Sequence, residues 1–512
     1  MSRLKYTAKN IVWGYVAQIS SLLIKFISRT VFIYTLGETY LGVSGLFSSI
    51  LGLLSFTELG IGTALNFSLY KPIAENDREK IKSLMQFYKH AYRVIAAVIM
   101  ALGVCLIPFL KYLIKDPGNI GNIYIYYILY LIDTSVSYLV TYKYSLPNAE
   151  QKSYIMSNVN MIWSFITTIV QIIILLCFHN FLIYLVAQVI CGIASKGFNA
   201  LYLNKKYPML NEPAQRLSKE DLAPIRTNVI ALVIHKLGDV VVNQTDNILI
   251  STFISVTVVG YLSNYNMMIT SVGAFVTVIF SSAVASFGNL IASSTPEYEY
   301  KIFNIYRFVG FWLYGFCAIA FYVLLTPFIT LWAGENWVIE EAAVALICLE
   351  YYNKGHRVCL NNFKTAAGIF DQDKWVAFGQ AFINLVISII AAKRMGLPGI
   401  FVGTVVSGLF STAIKPGIIY REVFHVKPIN YYIDSIKYLC VFIVPCVICR
   451  VAKSFIILGE VTYMNFILLM IFVAVVPNLW FLIVFHKNEK FHYLWNIVTS
   501  KLGRKWNGKR SS

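Results

Sequence analysis

Residues 22–37 read LLIKFISRTVFIYTLG. The run is apolar enough to lie in a lipid bilayer, yet Lys25 and Arg29 sit inside it, four residues apart. Side chains at that spacing share one face of a helix. A membrane helix that carries two cations on one side needs something to offset them.

The rest of the chain has the same apolar character. Its 512 residues are 58% hydrophobic and only 13% charged, with a mean hydropathy of +0.65. Soluble domains carry about 25% charged residues. Hydrophobic runs of about 20 residues, each able to cross a hydrocarbon core of about 30 Å, recur from end to end. Barrel strands alternate in and out over about 10 residues, and no such pattern dominates. The expectation is an all-α polytopic membrane protein with about fourteen transmembrane helices. The spans fall near 11–36, 41–70, 84–108, 120–145, 154–178, 181–203, 224–254, 257–288, 302–329, 338–363, 374–392, 398–421, 431–453 and 463–486.

The opening MSRLKYTAKN is basic like a signal-peptide n-region, but the apolar stretch behind it is too long for an h-region and ends in no A-x-A-like site. It reads as a first helix that stays. Nine cysteines are scattered, mostly in apolar runs. Cys446 and Cys449 form a C-x-x-C, but inside the spanning run YLCVFIVPCVICRVA they read as small buried side chains rather than a redox or metal site.

A net charge of +18 in a soluble protein would point to nucleic acid. Here the cations gather in KPIAENDREKIKS (71–83), NKKYPMLNEPAQRLSKEDLA (204–223) and the tail from residue 486. The positive-inside rule accounts for that and places both termini in the cytoplasm of a multi-pass plasma-membrane protein, with no nucleic-acid partner. The segment 204–223 divides the chain. Residues 1–203 form an N-terminal lobe of spans 1–6, 204–223 a cytoplasmic linker, 224–421 a C-terminal lobe of spans 7–12, 422–486 spans 13–14, and 487–512 a basic cytoplasmic tail. SRTVFIYTLGETYLGVSGLF (28–47) can be laid against TDNILISTFISVTVVGYLSNY (245–265), which suggests a parallel repeat of two six-helix halves. Chance similarity between apolar segments competes with that reading.

An ionisable side chain at bilayer depth costs about 2.5–3.5 kcal/mol on insertion scales, so it tends to face the bundle interior or a hydrated cavity. Span 1 carries Lys25 and Arg29, with Gln18 and Ser21 on the same seam. Span 2 carries Glu58 in SFTELGIGTALNF, and span 4 carries Asp133 in LIDTSVS. Span 7, VIHKLGDVVVNQTDNILIS, carries His235, Lys236, Asp239 and Asp246. Its seam runs through His235, Asp239, Asn243 and Asp246 at spacings of three and four. Span 10, ICLEYYNKGHRVCLNNF, carries Glu350, Lys354, His356 and Arg357. Structural explanations compete: Lys236 with Asp239, or Glu350 with Lys354, would be intrahelical pairs, and Lys354 and Arg357 would snorkel to the interface. Lys25 and Arg29 repel each other and Glu58 cannot neutralise both, so an anionic ligand or a hydrated cavity is the simpler account.

Other motifs fail. DQD (371–373) resembles a glycosyltransferase D-x-D, but the loop around it is too short for a catalytic domain. The chain has no G-x-x-x-x-G-K-[ST], no H-E-x-x-H and no nucleophile elbow, so it reads as neither an ATPase nor an enzyme.

The run ISRTVFIYTLGETYLGVSGLFSSILGLLSFTELGIGTAL (27–65), above all YLGVSGLFSSILGLLSFTELGIG, resembles the opening two helices of O-antigen flippase-type polysaccharide transporters. These belong to the multidrug/oligosaccharidyl-lipid/polysaccharide exporter superfamily. The TDNILIS element of span 7 and the loop lengths also resemble that family. The resemblance implies two six-helix lobes in a V plus two C-terminal helices, with alternating access. It also implies a polyprenyl-pyrophosphate-linked oligosaccharide flipped from the inner to the outer leaflet for surface polysaccharide export.

On that resemblance Lys25 and Arg29 meet the anionic head group, with Glu58, Asp133 and Lys236 completing the substrate-binding set. Asp239 and Asp246 couple transport to an ion. No cofactor or metal is expected beyond a proton or sodium gradient. The partners would be the lipid-linked oligosaccharide, membrane lipids and a polysaccharide polymerase machinery. YIYYILYLIDTSVSYLVTYKY in span 4 would supply an aromatic wall for the sugar. Two alternatives remain. A cation-coupled multidrug-type exporter of the same superfamily would want an acidic cavity, which Lys25 and Arg29 oppose. A membrane enzyme acting on lipid-linked sugars would want a long outer catalytic loop.

Overall fold

The structure is a computed structural model. It describes residues 3–58, 61–115, 118, 120–150, 152–218, 222, 225, 240–242, 244–367, 369, 372, 374–496 and 499. The described residues form helices and turns, with no strand among them. Ten of the described helices are long and apolar enough to cross a membrane. Span 2 breaks after Leu54 into a 3-10 turn over Ser55–Glu58, and span 7 lies largely outside the described residues. Span 10 is one continuous helix, but eight charged or amide side chains from Glu341 to Lys364 leave it too polar to qualify. Span 1 is also a continuous helix, although it is not one of the ten.

The chain separates into two compact units, Met1–Ser263 and Asn264–Ser512. In the first, α1 (Arg3–Leu36) ends at Gly37, whose φ of 83° is the left-handed turn that glycine adopts without strain. Next come α2 (Glu38–Leu54), α3 (Ile61–Glu75), α4 (Arg78–Leu106), α5 (Ile123–Thr141), α6 (Ser153–Phe178) and α7 (Phe181–Lys206). Side-chain caps set several starts: Asp77 accepts from the Lys80 amide at 3.0 Å, and Asn180 from the Ile183 amide at 3.2 Å. α1 packs on α6, and α5 packs on α4 and α7.

α2 is the buried centre of this unit; Val43, Leu46 and Phe47 have no exposed surface. Residues 240–253 are helical where described, and after a turn α8 (Val256–Ser282) begins. The start of α8 crosses α2 so closely that a Cβ on Gly42 or Gly260 would collide with the facing backbone. Thr39 and Thr257 hydroxyls meet at 3.3 Å beside that crossing, and Asn247 donates to Ser49 Oγ at 2.9 Å.

The second unit takes the rest of α8, then α9 (Val284–Ser293), α10 (Pro296–Ala333), α11 (Glu341–Ala366), α12 (Lys374–Met395), α13 (Leu397–Ile419), α14 (Ile429–Ile456) and α15 (Tyr463–Phe485). α10 is its axis, packing on α11, α14 and α15. Phe311 stacks on Tyr438 of α14 at 4.5 Å, and Trp312 Nε1 donates to Asn478 Oδ1 of α15 at 2.8 Å. An aromatic cluster of Phe287, Phe303, Phe363, Tyr420, Phe424 and Tyr431 closes one end.

Candidate substrate site in the first unit

Arg29 is where this site starts. Helix α1 holds it half-buried, and its Nη1 donates to Ser263 Oγ at 2.9 Å. Its other electrostatic neighbours are the phenols of Tyr184 on α7 and Tyr130 on α5. No carboxylate pairs with it among the described residues. A guanidinium has five N–H donors in a planar fork, so the single hydrogen bond to Ser263 leaves most of that capacity unused among the described residues. Aromatic packing fixes the phenols: Tyr184 stacks on Phe181 at 6.0 Å and meets Phe32 at 5.4 Å, and Tyr130 meets Phe47 at 5.8 Å.

Tyr130 links Arg29 to the next charged group, because Asp133 and Ser44 are also its neighbours. Asp133 is held by Lys196 of α7, whose Nζ sits 2.5 Å from Oδ1 and 3.0 Å from the Asp133 carbonyl oxygen. Gly192, one turn before Lys196, leaves the room, since a Cβ there would lie 2.5 Å from Oδ1. The structure thus brings Arg29 and Asp133 into one polar cluster through Tyr130, and commits the Asp133 carboxylate to a lysine.

The other expected residues are placed differently. Lys25 is exposed and has no hydrogen-bond or ion-pair partner among the described residues. Glu58 is half-buried at the break between α2 and α3 and accepts from Tyr92 OH at 3.0 Å. Asp246 is half-buried and has an interaction of its own, beside the Asn247–Ser49 bond. Lys236, Asp239, His235 and Asn243 lie outside the described residues, as do Asp371 and Asp373 of DQD and the side chains of Gln18 and Ser21. The aromatic wall expected on span 4 is largely core: Tyr126, Tyr127, Tyr138 and Tyr142 are buried, with Tyr126 edge-on to Phe181 and Tyr127 to Phe47. Aromatic rings in a bundle pack on one another more readily than they wait for a ligand. Cys446 and Cys449 are free thiols.

In the second unit the charges of span 10 pair otherwise than expected. Glu350 joins Arg357, seven residues on, rather than making its ion pair with Lys354, which is exposed. Two turns of helix return a side chain to nearly the same face, so Arg357 lies within reach.

Reading the charges by span missed three residues. Lys196 lies in CGIASKGFNALYL, Lys415 in STAIKPGII and Arg307 in FNIYRFVGFW, each a lone cation in an apolar run. The depth rule that flags Lys25 also flags them. Arg307 is 1% exposed; its Nη2 donates to the Tyr431 carbonyl at 2.9 Å and to Ser435 Oγ at 2.5 Å, and its guanidinium lies 3.7 Å over the Tyr431 ring.

Helical bundles of this layout are known. The chain aligns with a structure of the lipid II flippase MurJ in an inward closed conformation at a TM-score of 0.65 and 13% identity, covering 93% of this chain and 99% of that one. It aligns with an inward-facing multidrug resistance MATE family transporter at 0.56 and 12%, covering 78% and 96%. It also aligns with the Vibrio cholerae MATE transporter VcmN in its bent form at 0.54 and 15%, covering 82% and 98%. The fold is therefore the one seen in the MurJ and MATE structures. Residues 7–285, just over half of the chain, match the polysaccharide biosynthesis protein family, and the chain belongs to it. No curated protein matches it.

Proposed function

We propose that this protein is a flippase that carries a polyprenyl-pyrophosphate-linked oligosaccharide from the inner to the outer leaflet by alternating access, at the plasma membrane and with both termini cytoplasmic. Its family supports a role in polysaccharide biosynthesis, and its fold supports transport. The observation that carries the reading is Arg29, a half-buried guanidinium bonded to one hydroxyl and flanked by phenols with no carboxylate partner among the described residues. A pyrophosphate offers what that fork lacks: several negative charges and oxygens spaced for bidentate bonding. Lys25, one turn earlier and exposed, extends the positive face. The phenols of Tyr130 and Tyr184 beside Arg29 would donate to phosphate or sugar oxygens. A multidrug-type exporter of cations would be poorly served by this pair.

The direct test counts lipid-linked sugar on the inner leaflet of cells that carry Arg29→Ala, normalised to membrane protein. Accumulation is expected, and wild-type turnover would sink the reading. Coupling is assigned to a proton or sodium gradient through Asp239 or Asp246. Asp246→Asn and Asp239→Asn should each be measured for gradient-driven transport in vesicles. Unchanged transport in both variants would reject that assignment. A polysaccharide polymerase is the partner this product would feed.

A further inference from the structure

A second group of cations in the first unit is not absorbed by the Arg29 site. Helix α4 carries Arg78, Lys82, Lys89 and Arg93. At 3.6 residues per turn these four fall within about 60° of one face. The carboxylates described near the cytoplasmic end of this unit all have partners elsewhere. Glu75 pairs with Lys71 at 3.8 Å, Asp77 caps α4, Glu79 holds Lys82 at 2.6 Å, and Glu212 holds Arg78 and Lys82. Glu150 takes Lys152 at 2.9 Å and Tyr207 OH at 2.8 Å. The outer half of the stripe is thereby neutralised and the inner half is not: Lys89 and Arg93 have no hydrogen-bond or ion-pair partner among the described residues.

Lys143 joins them from the 3-10 turn Tyr142–Tyr144 that follows α5. It is 9% exposed, donates to the neutral Asn204 Oδ1 at 2.7 Å, and has Lys89 as its charged neighbour. Arg93 acts on Tyr142 of the same turn. A buried ammonium beside a second cation, with only an amide to accept from it, is an arrangement an anion would relieve. The level in the membrane identifies the anion. Arg93 directly precedes the apolar run 94–110, VIAAVIMALGVCLIPFL, whose Val94, Val98 and Leu102 are exposed. The three cations therefore lie where hydrocarbon gives way to head groups, the layer that holds lipid phosphates.

We infer that Lys89, Arg93 and Lys143 form a binding site for the phosphate of a lipid head group at the cytoplasmic boundary of the first unit. The site is distinct from Arg29 and stands whether or not Arg29 meets substrate. Two sources share this chemistry, an anionic phospholipid and a polyprenyl pyrophosphate.

The experiment is native mass spectrometry of the full chain released from phosphatidylcholine nanodiscs doped with phosphatidylglycerol or with polyprenyl pyrophosphate. A basic residue near an anionic surface contributes enough that each cation removed should lower lipid retention about fivefold. Lys89→Gln and Arg93→Gln, neither of them buried, should each show that loss without a change in melting temperature, and Lys89→Arg should restore retention. Loss confined to phosphatidylglycerol would make this a phospholipid site; loss confined to the pyrophosphate lipid would make it a docking site for the carrier lipid. Equal retention by wild type and both Gln variants would overturn the proposal. So would an equal loss from Lys427→Gln, an exposed cation of the second unit, because the effect would then be bulk charge. Inorganic pyrophosphate binding without any lipid retained would also overturn it.

Discussion

Arg29 and Arg307 are both arginines inside apolar helices, and their surroundings separate two uses of a cation in a membrane protein. Arg307 is sealed. Tyr431 covers its face at 3.7 Å, the Tyr431 carbonyl and Ser435 take its Nη2, and α14 is thereby fastened to α10. Nothing larger than its present neighbours has room to reach it at 1% exposure. Arg29 is half-buried and spends one donor on Ser263. The first arrangement is a tie between helices through cation–π and hydrogen bonding. The second leaves most of the fork without a hydrogen bond among the described residues.

The comparison is tested first where the expected effect is largest. Arg29→Ala should reduce flipping by ten- to hundredfold, from about 1.5–3 kcal/mol per hydrogen bond to a charged group, while membrane level and melting temperature stay near wild type. Arg29→Lys should keep part of the activity, since the charge survives and the fork does not. An Arg29→Ala protein that melts early would make Arg29 another structural tie and erase the contrast. Arg307→Ala should do the reverse. Truncating a large buried side chain and removing its bonds to Tyr431 and Ser435 should cost about 2–4 kcal/mol of stability. Arg307→Met, which fills the space without a charge, should cost less. Thermal melting of the purified protein distinguishes the two variants, and equal melting of wild type and Arg307→Ala would remove the assigned role.

The Asp133–Lys196 pair sits between these extremes, about a fifth to a quarter exposed on each side chain. Asp133→Asn or Lys196→Met alone should cost about 1–2 kcal/mol, less than a fully buried pair because water still screens it. The double variant should be more stable than the sum of the two losses. Strict additivity would show that the pair is not coupled. It would also return Asp133 to the set of groups free to meet substrate.

The contrast also shows what the sequence could reveal. The helical, polytopic architecture is legible because spanning runs need length and apolarity, and both are written locally. Arg29 is legible because a cation in such a run is conspicuous. Its partners Tyr130, Tyr184 and Ser263 are not, because they come from three other helices and no spacing along the chain announces them. Arg307 and Lys196 were within reach of the same depth rule, but a single cation lacks the four-residue repetition that draws attention to Lys25 and Arg29. The aromatic run of span 4 misled for the opposite reason. Its tyrosines look available in one dimension and are packed against Phe47 and Phe181 in three. The break after Leu54 was hidden by continuous hydrophobicity, since apolar composition does not report a 3-10 turn.

Lys25 should give the smallest effect and the finest resolution. It shares the Arg29 face but is exposed and has no partner among the described residues. If Arg29 supplies the bonds, Lys25 supplies mainly field. An exposed charge acts through solvent and is screened over about 8–10 Å at physiological salt. Lys25→Ala should therefore slow flipping by about two- to fivefold at low salt, with the gap to wild type closing as ionic strength rises. Arg29→Ala should stay defective at every salt concentration, because a short bond in a half-buried site is little screened. Lys25→Arg should behave as wild type, since field depends on charge and not on the fork. The measurement is initial flipping rate in vesicles against salt for the three variants. A Lys25→Ala defect as deep as that of Arg29→Ala, and as insensitive to salt, would mean that both cations bond the head group and that exposure is no guide to their division of labour.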